Sequence, residues 1–463
     1  MWFDAGPQRS GRLLLTVHHL AVDGVSWRIV LPDLAAAWQA AHAGARPQLA
    51  PVPTSLRTWS AALADAANDE RRAAELDLWT AQCGEPGTSL SGRPLDPTAD
   101  VYATARERTL ALPAEVTAPL LTRVPETLRA SIDEILLTAL VLAVAHWRDA
   151  GNGEEGDDGG HADSGTPLLV DVEGHGRDEE LAGDLSRTVG WFTSLFPVRL
   201  DAGGARWREI LDGGPALGRA LNTVKAQLRA LPDRGIGYGL LRYLNPRTEA
   251  VLAGGSRPEL CFNYLGRYTT GDEGDWAVLS DPDLTLPVAD ADMALPHPLA
   301  LNAVTEDGPA GPRLLASWTW ASRHFEAGQV EALGRTWFRM LRALVAHGTG
   351  TDHGTPISSD TVLHALMPEA LTDRELTRVA GRWPGHRVAD VLPLTPLQEG
   401  LLFHSSYQSD GIDVYNVQVA LELDGALRTG RLRRACDDLL DRHSALRTAF
   451  TQLSTGHPAQ VEF

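Results

Sequence analysis

The sequence predicts an α/β chain, an α+β sandwich whose sheets are covered by helices. Three observations carry this reading. Strand-like runs such as "PLLVDVEGHGR" (167–177) and "RLLASWTWASRHF" (313–325) lie between helical stretches instead of apart from them. The helical stretches are either amphipathic, as in "LGRALNTVKAQLRAL" (217–231), or apolar almost throughout, as in "SIDEILLTALVLAVAHW" (131–147). Polar residues interrupt the strand-like runs at their ends, not in their middles. A sheet covered by helices lets both kinds of element bury their apolar sides.

In chain order, Arg12 to Val17 ("RLLLTV") reads as a short buried strand ending in two histidines. After Asp23-Gly24, Ile29, Leu31, Leu34 and Trp38 recur at helical spacing, with Ser26 as a candidate cap. Helices are expected over Ser55 to Ala66 and Glu70 to Gln82, and a strand over Tyr102 to Leu112. Ser131 is placed to cap a buried helix that runs to Trp147. "PELCFNYLGRY" (258–268) is a strand and turn, and Glu326 to His347 closes this part with a helix. Asp149 to Gly165 is acidic, Gly-rich and nearly free of apolar side chains, so it reads as a disordered surface loop. Its carboxylates lack the regular alternation of a calcium loop.

The composition changes after His347. Gly348 to Ser359 is rich in Gly, Thr and Ser, as linkers are. The expected organisation is a first domain over 1–347, a linker over 348–390 that includes a short helical patch, and a second unit over 391–463. That unit would hold a strand "VYNVQVALEL" (414–423), a helix "LRRACDDLLDRHSALR" (432–447) and a final strand at "AQVEF".

Bulk properties exclude several classes. The net charge of −19 opposes non-specific nucleic-acid binding. No apolar run is long enough to span a bilayer, and the N-terminus lacks the pattern of a signal peptide. Cys83, Cys261 and Cys436 are odd in number and far apart, which argues against a disulfide framework and a thiolate zinc site. A reducing cytoplasm fits. Lys225 is the only lysine, a bias typical of GC-rich bacterial coding sequence.

The stretch "TVHHLAVDGVSW" (16–27) holds the densest chemistry. Neighbouring strand residues point to opposite faces, so His18 and His19 do not converge easily on one metal ion. By the same alternation one of them is expected in the core. The other is free to act as a proton acceptor near neutral pH. Asp23 could orient it, directly or by fixing the loop through an arginine, and Gly24 allows a tight turn.

His18-His19-Leu20-Ala21-Val22-Asp23-Gly24 matches the HHxxxDG motif of the condensation-domain superfamily of nonribosomal peptide synthetases. "DGVSWRIVLPDL" resembles its epimerization branch specifically. "VEGHGR" (172–177), "RTVGWFTSLFPV" (187–198), "RGIGYGLLRYLN" (234–245) and "FNYLGRY" (262–268) follow in the family's order. The resemblance covers Trp2 to about His347. Beyond it, "LPLTPLQEGLLFHS" (392–405) and "RHSALRTAF" (442–450) resemble the opening motifs of a condensation domain. The implied fold is that of chloramphenicol acetyltransferase, with a partial second copy after it.

The resemblance implies epimerization, L to D, of the α-carbon of an aminoacyl or peptidyl thioester tethered by phosphopantetheine to a carrier domain outside this chain. The chain itself would bind no cofactor and no metal. Its partners would be the carrier domain and neighbouring adenylation and condensation domains, with no nucleic acid and no membrane. A thioester acidifies its α-proton, and inversion calls for proton transfer on two faces through an enolate. His19 and Glu173 are the implied pair, and a part-apolar site would raise the carboxyl's pKa into a useful range. Tyr264 is a candidate hydrogen-bond donor to the enolate oxygen, with Asn263 supporting it. His18, Asp23, Gly24 and Trp27 are supporting residues, and His175, Arg177 and Asp184 stabilise the loop. The ordinary alternatives are a surface Glu173 and a Tyr264 that only packs.

HHxxxDG begins at residue 18, whereas the family places it after much of an N-terminal lobe. The expectation is therefore a domain lacking part of that lobe, with an exposed sheet edge and a tendency to associate. Condensation-type acyl transfer and a non-catalytic docking fragment are the competing readings.

Overall fold

The structure, a computed structural model, describes residues 1–349 except 5, 7–10, 85–88, 151–160, 163–166, 270–275 and 277–288. Beyond these it describes 373–386, 390–394, 444–463 and isolated positions between them. The chain divides into two units, Met1–Gly350 and Thr351–Phe463.

The first unit is built on a six-stranded sheet. Its strands are β3 (Ala105–Leu112), β5 (Leu168–Gly174), β6 (Ser194–Leu200), β8 (Leu260–Thr269), β9 (Leu299–Gly308) and β10 (Gly311–Ala321). Their order is β3-β10-β9-β8-β5-β6. The central β9–β8–β5 pairings are parallel and the outer ones antiparallel. Two short ribbons lie outside it: β1 (Trp2–Phe3) with β2 (Arg12–Leu13), and β4 (His161–Ala162) with β7 (Ala205–Arg206).

The alternation of β-structure divides this sheet into two chemically different faces. On one, Val170, Phe262, Leu301, Ala316, Trp318 and Trp320 are buried in a single large core. Helix Ile132–Asp149 crosses it, with helices Pro215–Arg229 and Ala327–Thr349 packed alongside. Helix Ile132–Asp149 starts at a capping box: Ser131 Oγ accepts from Glu134 N–H at 3.2 Å, and Glu134 Oε2 accepts from Ser131 N–H at 2.7 Å. Its apolar body is buried on every side, as its sequence predicts. Trp337 is fully buried, and its indole N–H donates to Leu136 O at 3.1 Å.

The other face carries Asp171 and Glu173 on β5, Cys261 and Asn263 on β8, Asn302 on β9 and Ser317 on β10. Asp171 lies level with Cys261, Asn263 with Asn302, and Asn302 with Ser317. The sequence reading did not single out β9 as a strand.

Several expectations are corrected. The strand expected over Arg12 to Val17 reduces to Arg12–Leu13, paired only with Trp2–Phe3. Leu13 and Leu15 are exposed and Leu14 is half-buried, and the ribbon is hydrogen-bonded to none of the six strands. Asp23, not Ser26, caps helix Gly24–His42, since its carboxylate reaches the free N–H three residues on. The helix expected over Glu70 to Gln82 is two, Glu70–Ala73 and Leu76–Cys83. Tyr102–Thr104 is a turn of 3₁₀ helix before β3, and β10 ends at Ala321, before the Arg323-His324-Phe325 turn.

The second unit holds helix Asp373–Arg382 and a sheet of β11 (Asp390–Pro393), β13 (Pro458–Glu462) and β12 (Thr448–Gln452), in that order. Val379, Val391, Leu453, Ala459 and Val461 form its small core. The final strand matches the reading of "AQVEF". The strand at 414–423, most of the helix at 432–447 and most of the acidic loop lie outside the described residues, while Ser444–Arg447 is a 3₁₀ turn.

Candidate active site

Three of the motifs are joined by one carboxylate. Asp23 Oδ1 accepts from Ser26 N–H and from Ser26 Oγ, both at 2.7 Å. The same oxygen accepts from Arg177 Nη2 at 3.1 Å, and Asp23 Oδ2 accepts from Phe192 N–H at 3.3 Å. Arg177 donates through Nη1 to Leu185 O and Thr188 O at 2.9 and 2.7 Å, and its guanidinium lies 4.0 Å over the Phe192 ring. Ser26 Oγ in turn accepts from Gly190 N–H at 3.1 Å. Burial alone would raise the Asp23 pKa, but the Ser26 and Arg177 hydrogen bonds and the arginine charge hold it below the usual value. Asp23 is thus a buried, ionised strut that ties the loop to Arg177.

Gly176 has φ +60°, and a Cβ there would lie 1.6 Å from Phe192 O, so only glycine lets "GHGR" meet "GWF". His175 Nδ1 accepts from Arg177 N–H at 3.1 Å, and burial with the nearby Arg234 and Arg177 charges lowers its pKa. Asp184 Oδ1 accepts from Ser186 N–H at 2.8 Å and braces the loop. Arg187 bridges to Asp33 at 2.6 Å, tying the "RTVGWF" segment to helix Gly24–His42 a second time.

This frame sets the histidines. His18 caps the 3₁₀ turn His19–Ala21, its Nδ1 accepting from Leu20 N–H at 3.1 Å. Both histidines are exposed, so the expectation that one of them enters the core fails. The chain has already turned out of strand geometry, and alternation no longer applies. The His19 ring lies against Trp191, with centroids 5.3 Å apart. Trp27 is half-buried in the first turn of the helix. A Cβ on Gly24 would lie 3.2 Å from the Tyr268 hydroxyl, so a larger residue would crowd the contact between this helix and β8.

Glu173 is half-buried at the end of β5. Burial raises its pKa, while the electrostatic effect of His297, a thiol hydrogen bond from Cys261 Sγ (3.8 Å) and the smaller effect of His19 draw it part of the way back. His19, far away in sequence, is thus near enough to Glu173 to act on it electrostatically.

Asn263 and Tyr264 part company. Asn263 lies on the Glu173 face of β8. Tyr264 faces the core side, where it packs against buried hydrophobics and its hydroxyl meets Thr305 Oγ1 at 3.0 Å. The expectation that Tyr264 reaches an enolate beside Glu173 is corrected here, because adjacent residues of a strand face opposite ways. A bulge follows between Tyr264 and Arg267, with Gly266 at φ +81°. Arg28 Nη2 caps it, donating to Leu265 O and Arg267 O at 3.3 Å each.

The sequence reading missed His297, Asp171 and Cys261. His297 Nε2 and Asp171 Oδ2 are 2.7 Å apart, and both side chains are largely buried. Asp171, two residues before Glu173 on one strand, carried the readable signal. Among the described residues no cluster of histidine, cysteine and carboxylate side chains is arranged to hold a metal ion. No described helix is long and apolar enough to cross a membrane.

The family model for the condensation domain matches residues 7–362 and again 388–462. The chain belongs to the condensation-domain family. The resemblance drawn from the motifs therefore stands, as does the mixed α/β condensation-type fold. Among relatives, this condensation-family chain is 34% identical over 465 residues to one of the linear gramicidin synthase proteins of Brevibacillus parabrevis, covering 100% of this chain and 6% of that protein. It is 35% identical to a second protein of the same synthase, covering 100% of this chain and 8% of that relative. The chain thus spans less than a tenth of the length of these relatives. The crystal structure of the epimerization domain from the third module of tyrocidine synthetase B matches with a TM-score of 0.59 and 28% identity, over 72% of this chain and 68% of that one.

Proposed function

We propose that the first unit epimerizes the α-carbon of an aminoacyl or peptidyl thioester carried on phosphopantetheine by a carrier domain outside this chain. The observation that carries this reading is the half-buried Glu173 carboxyl at the end of β5, its pKa raised by burial, with His19 acting on it electrostatically from the loop that Asp23 and Arg177 fix. The solved epimerization domain to which the chain is similar supports the same branch.

In this mechanism one of the two groups takes the α-proton. The C–H electron pair moves into the thioester carbonyl and forms an enolate. The other group returns a proton to the opposite face, so no atom is gained or lost and no co-reactant is consumed. The Asp23–Arg177 strut holds the His19 loop in place for this transfer. Asn263, on the Glu173 face, is the amide suited to donate to the enolate oxygen. The carrier domain and neighbouring adenylation and condensation domains are the partners of this reading, in a bacterial cytoplasm, with neither nucleic acid nor membrane involved.

The test presents a carrier-bound L-aminoacyl thioester to the chain in D₂O, then hydrolyses it and scores chirality and α-deuterium. Deuterium uptake with a D/L mixture, lost in Glu173→Gln and His19→Ala, is expected. A condensation reading is favoured by the family description itself. It requires amide formation when an amine acceptor is added, with no solvent deuterium at the α-carbon, and that result would displace epimerization.

A further inference from the structure

The Glu173 side of the sheet continues inward into a polar cluster that no motif covers. Asp171 is two residues before Glu173 on β5 and points the same way. Cys261 lies level with Asp171 on β8 and donates its thiol to Glu173 Oε1 at 3.8 Å. His297 arrives from the segment before β9 and bonds Asp171 at 2.7 Å, its side chain only 9% exposed. Burial and the Asp171 charge push the Cys83 thiol up to about 11. Burial also raises the Cys261 thiol and the Tyr238 hydroxyl, the latter close enough to feel Asp171. These three groups therefore stay neutral at working pH. The groups able to carry charge around Glu173 are His297 and Asp171 on the inner side and His19 on the outer.

We propose that the buried His297–Asp171 pair, on the same face of the sheet as Glu173 and level with the Cys261 thiol that bonds it, is the positioning element for Glu173, with Asp171 fixing the ring. Each side chain of the pair satisfies the other in a largely buried place, and His297 acts on Glu173 in the direction that favours the ionised carboxylate. Of the two charges His297 has the larger effect on Glu173 and Asp171 the smaller, with opposite signs. His297 does not touch the reacting atoms in this scheme. It opposes the rise in pKa that burial imposes on the Glu173 carboxyl. The inference deepens the reading of Glu173 as a proton carrier and rests on it for its functional meaning.

The test reads the carboxyl directly. Glutamate is labelled with ¹³C in the full chain, and the Glu173 signal is assigned by its loss in Glu173→Gln. His297→Gln is expected to move the Glu173 titration midpoint to higher pH. Asp171→Asn/His297→Gln replaces the pair by two amides that can still hydrogen-bond, and it is expected to fall between wild type and the single variant. A merely structural pair predicts instead that the double variant is at least as disturbed as the single. If His297→Gln does not fold, the double variant must still lie above wild type. A midpoint that does not move in whichever variant folds overturns the proposal. In the exchange assay, the acidic limb of the rate profile shifts to higher pH in His297→Gln, and the rate at pH 7 falls roughly tenfold. If wild type exchanges no α-proton but the titration moves as described, the pair's role stands and the epimerase reading fails.

Discussion

Helix Gly24–His42 and helix Ile132–Asp149 both begin at a side chain that accepts the N–H three residues on, yet different forces hold them. In the second, nearly every side chain from Glu134 to Val144 is buried in the main core. In the first, Ser26 and Ile29 are the buried residues, and Trp38 is 58% exposed. That helix is held instead by directed polar contacts: Asp23 to Arg177 and Phe192, Asp33 to Arg187, and Arg28 to the β8 bulge. Apolar burial is non-directional and supplies stability. Charge-assisted hydrogen bonds fix distance and angle, which a proton-transfer site needs. The site region is therefore expected to be the less stable and the better-aimed part of the unit.

The largest effect should come from the core. Trp337→Ala removes a fully buried indole and its bond to Leu136 O. It is expected to cost about 4 kcal/mol and to lower the melting of the whole first unit. Asp23→Ala should cost somewhat less, about 3 kcal/mol, because it strands the Arg177 guanidinium in a buried place and removes a cap. Its signature is local. Hydrogen exchange should speed up around 185–192 and the start of helix Gly24–His42, while β8 to β10 stay protected. Equal loss of protection in both regions would erase the contrast drawn between the two helices. The pH dependence follows from the depressed Asp23 pKa. Its stabilising contribution is fully present above the unfolded value of about 3.9 and is lost as pH falls through the lower folded value. Asp23→Asn should flatten that acid limb in a urea titration.

How legible these two regions were in the sequence follows the same divide. The helix at Ile132 announced itself through a cap and an unbroken apolar body, signals local to the segment. The strands β5, β8 and β10 were likewise readable from their own patterns. What failed depended on long-range contact. "RLLLTV" is as apolar as a buried strand, but it pairs only with Trp2–Phe3. His18 and His19 were assigned faces by strand alternation at a point where the chain had already entered a 3₁₀ turn. Within the site, Glu173 and His19 came from motif resemblance. His297 sits in "LPHPLALN", which has no chemical pattern of its own, and only the return of the chain along β9 brings it to Asp171.

Tyr264 gives the next, smaller test. Its hydroxyl meets Thr305 in the core-side layer, so Tyr264→Phe should cost about 1 kcal/mol and leave α-proton exchange nearly unchanged. Asn263→Ala should do the reverse, with little change in melting and a clear loss of exchange rate. If Tyr264→Phe instead abolishes exchange at full stability, the assignment of these two neighbours to opposite faces of β8 has misjudged which one serves the site.

The smallest effect runs against the usual direction of mutation. Burial raises the Glu173 pKa, so the folded chain holds that proton more tightly than the unfolded chain does. By linkage, Glu173 favours folding at low pH. That advantage is lost as pH rises from the unfolded value of about 4.3 through the higher folded value. Above that window the ionised carboxylate is a burden on the fold. Glu173→Gln keeps the shape and removes the charge, so it should leave the chain unchanged or more stable by under about 1 kcal/mol at pH 8, while abolishing exchange. Denaturant midpoints of both proteins across pH 4 to 8 check this, and the two curves should draw apart as pH rises. A constant offset would mean that the charge of Glu173 costs nothing where it sits. The polar cluster behind it would then be compensating fully for its burial.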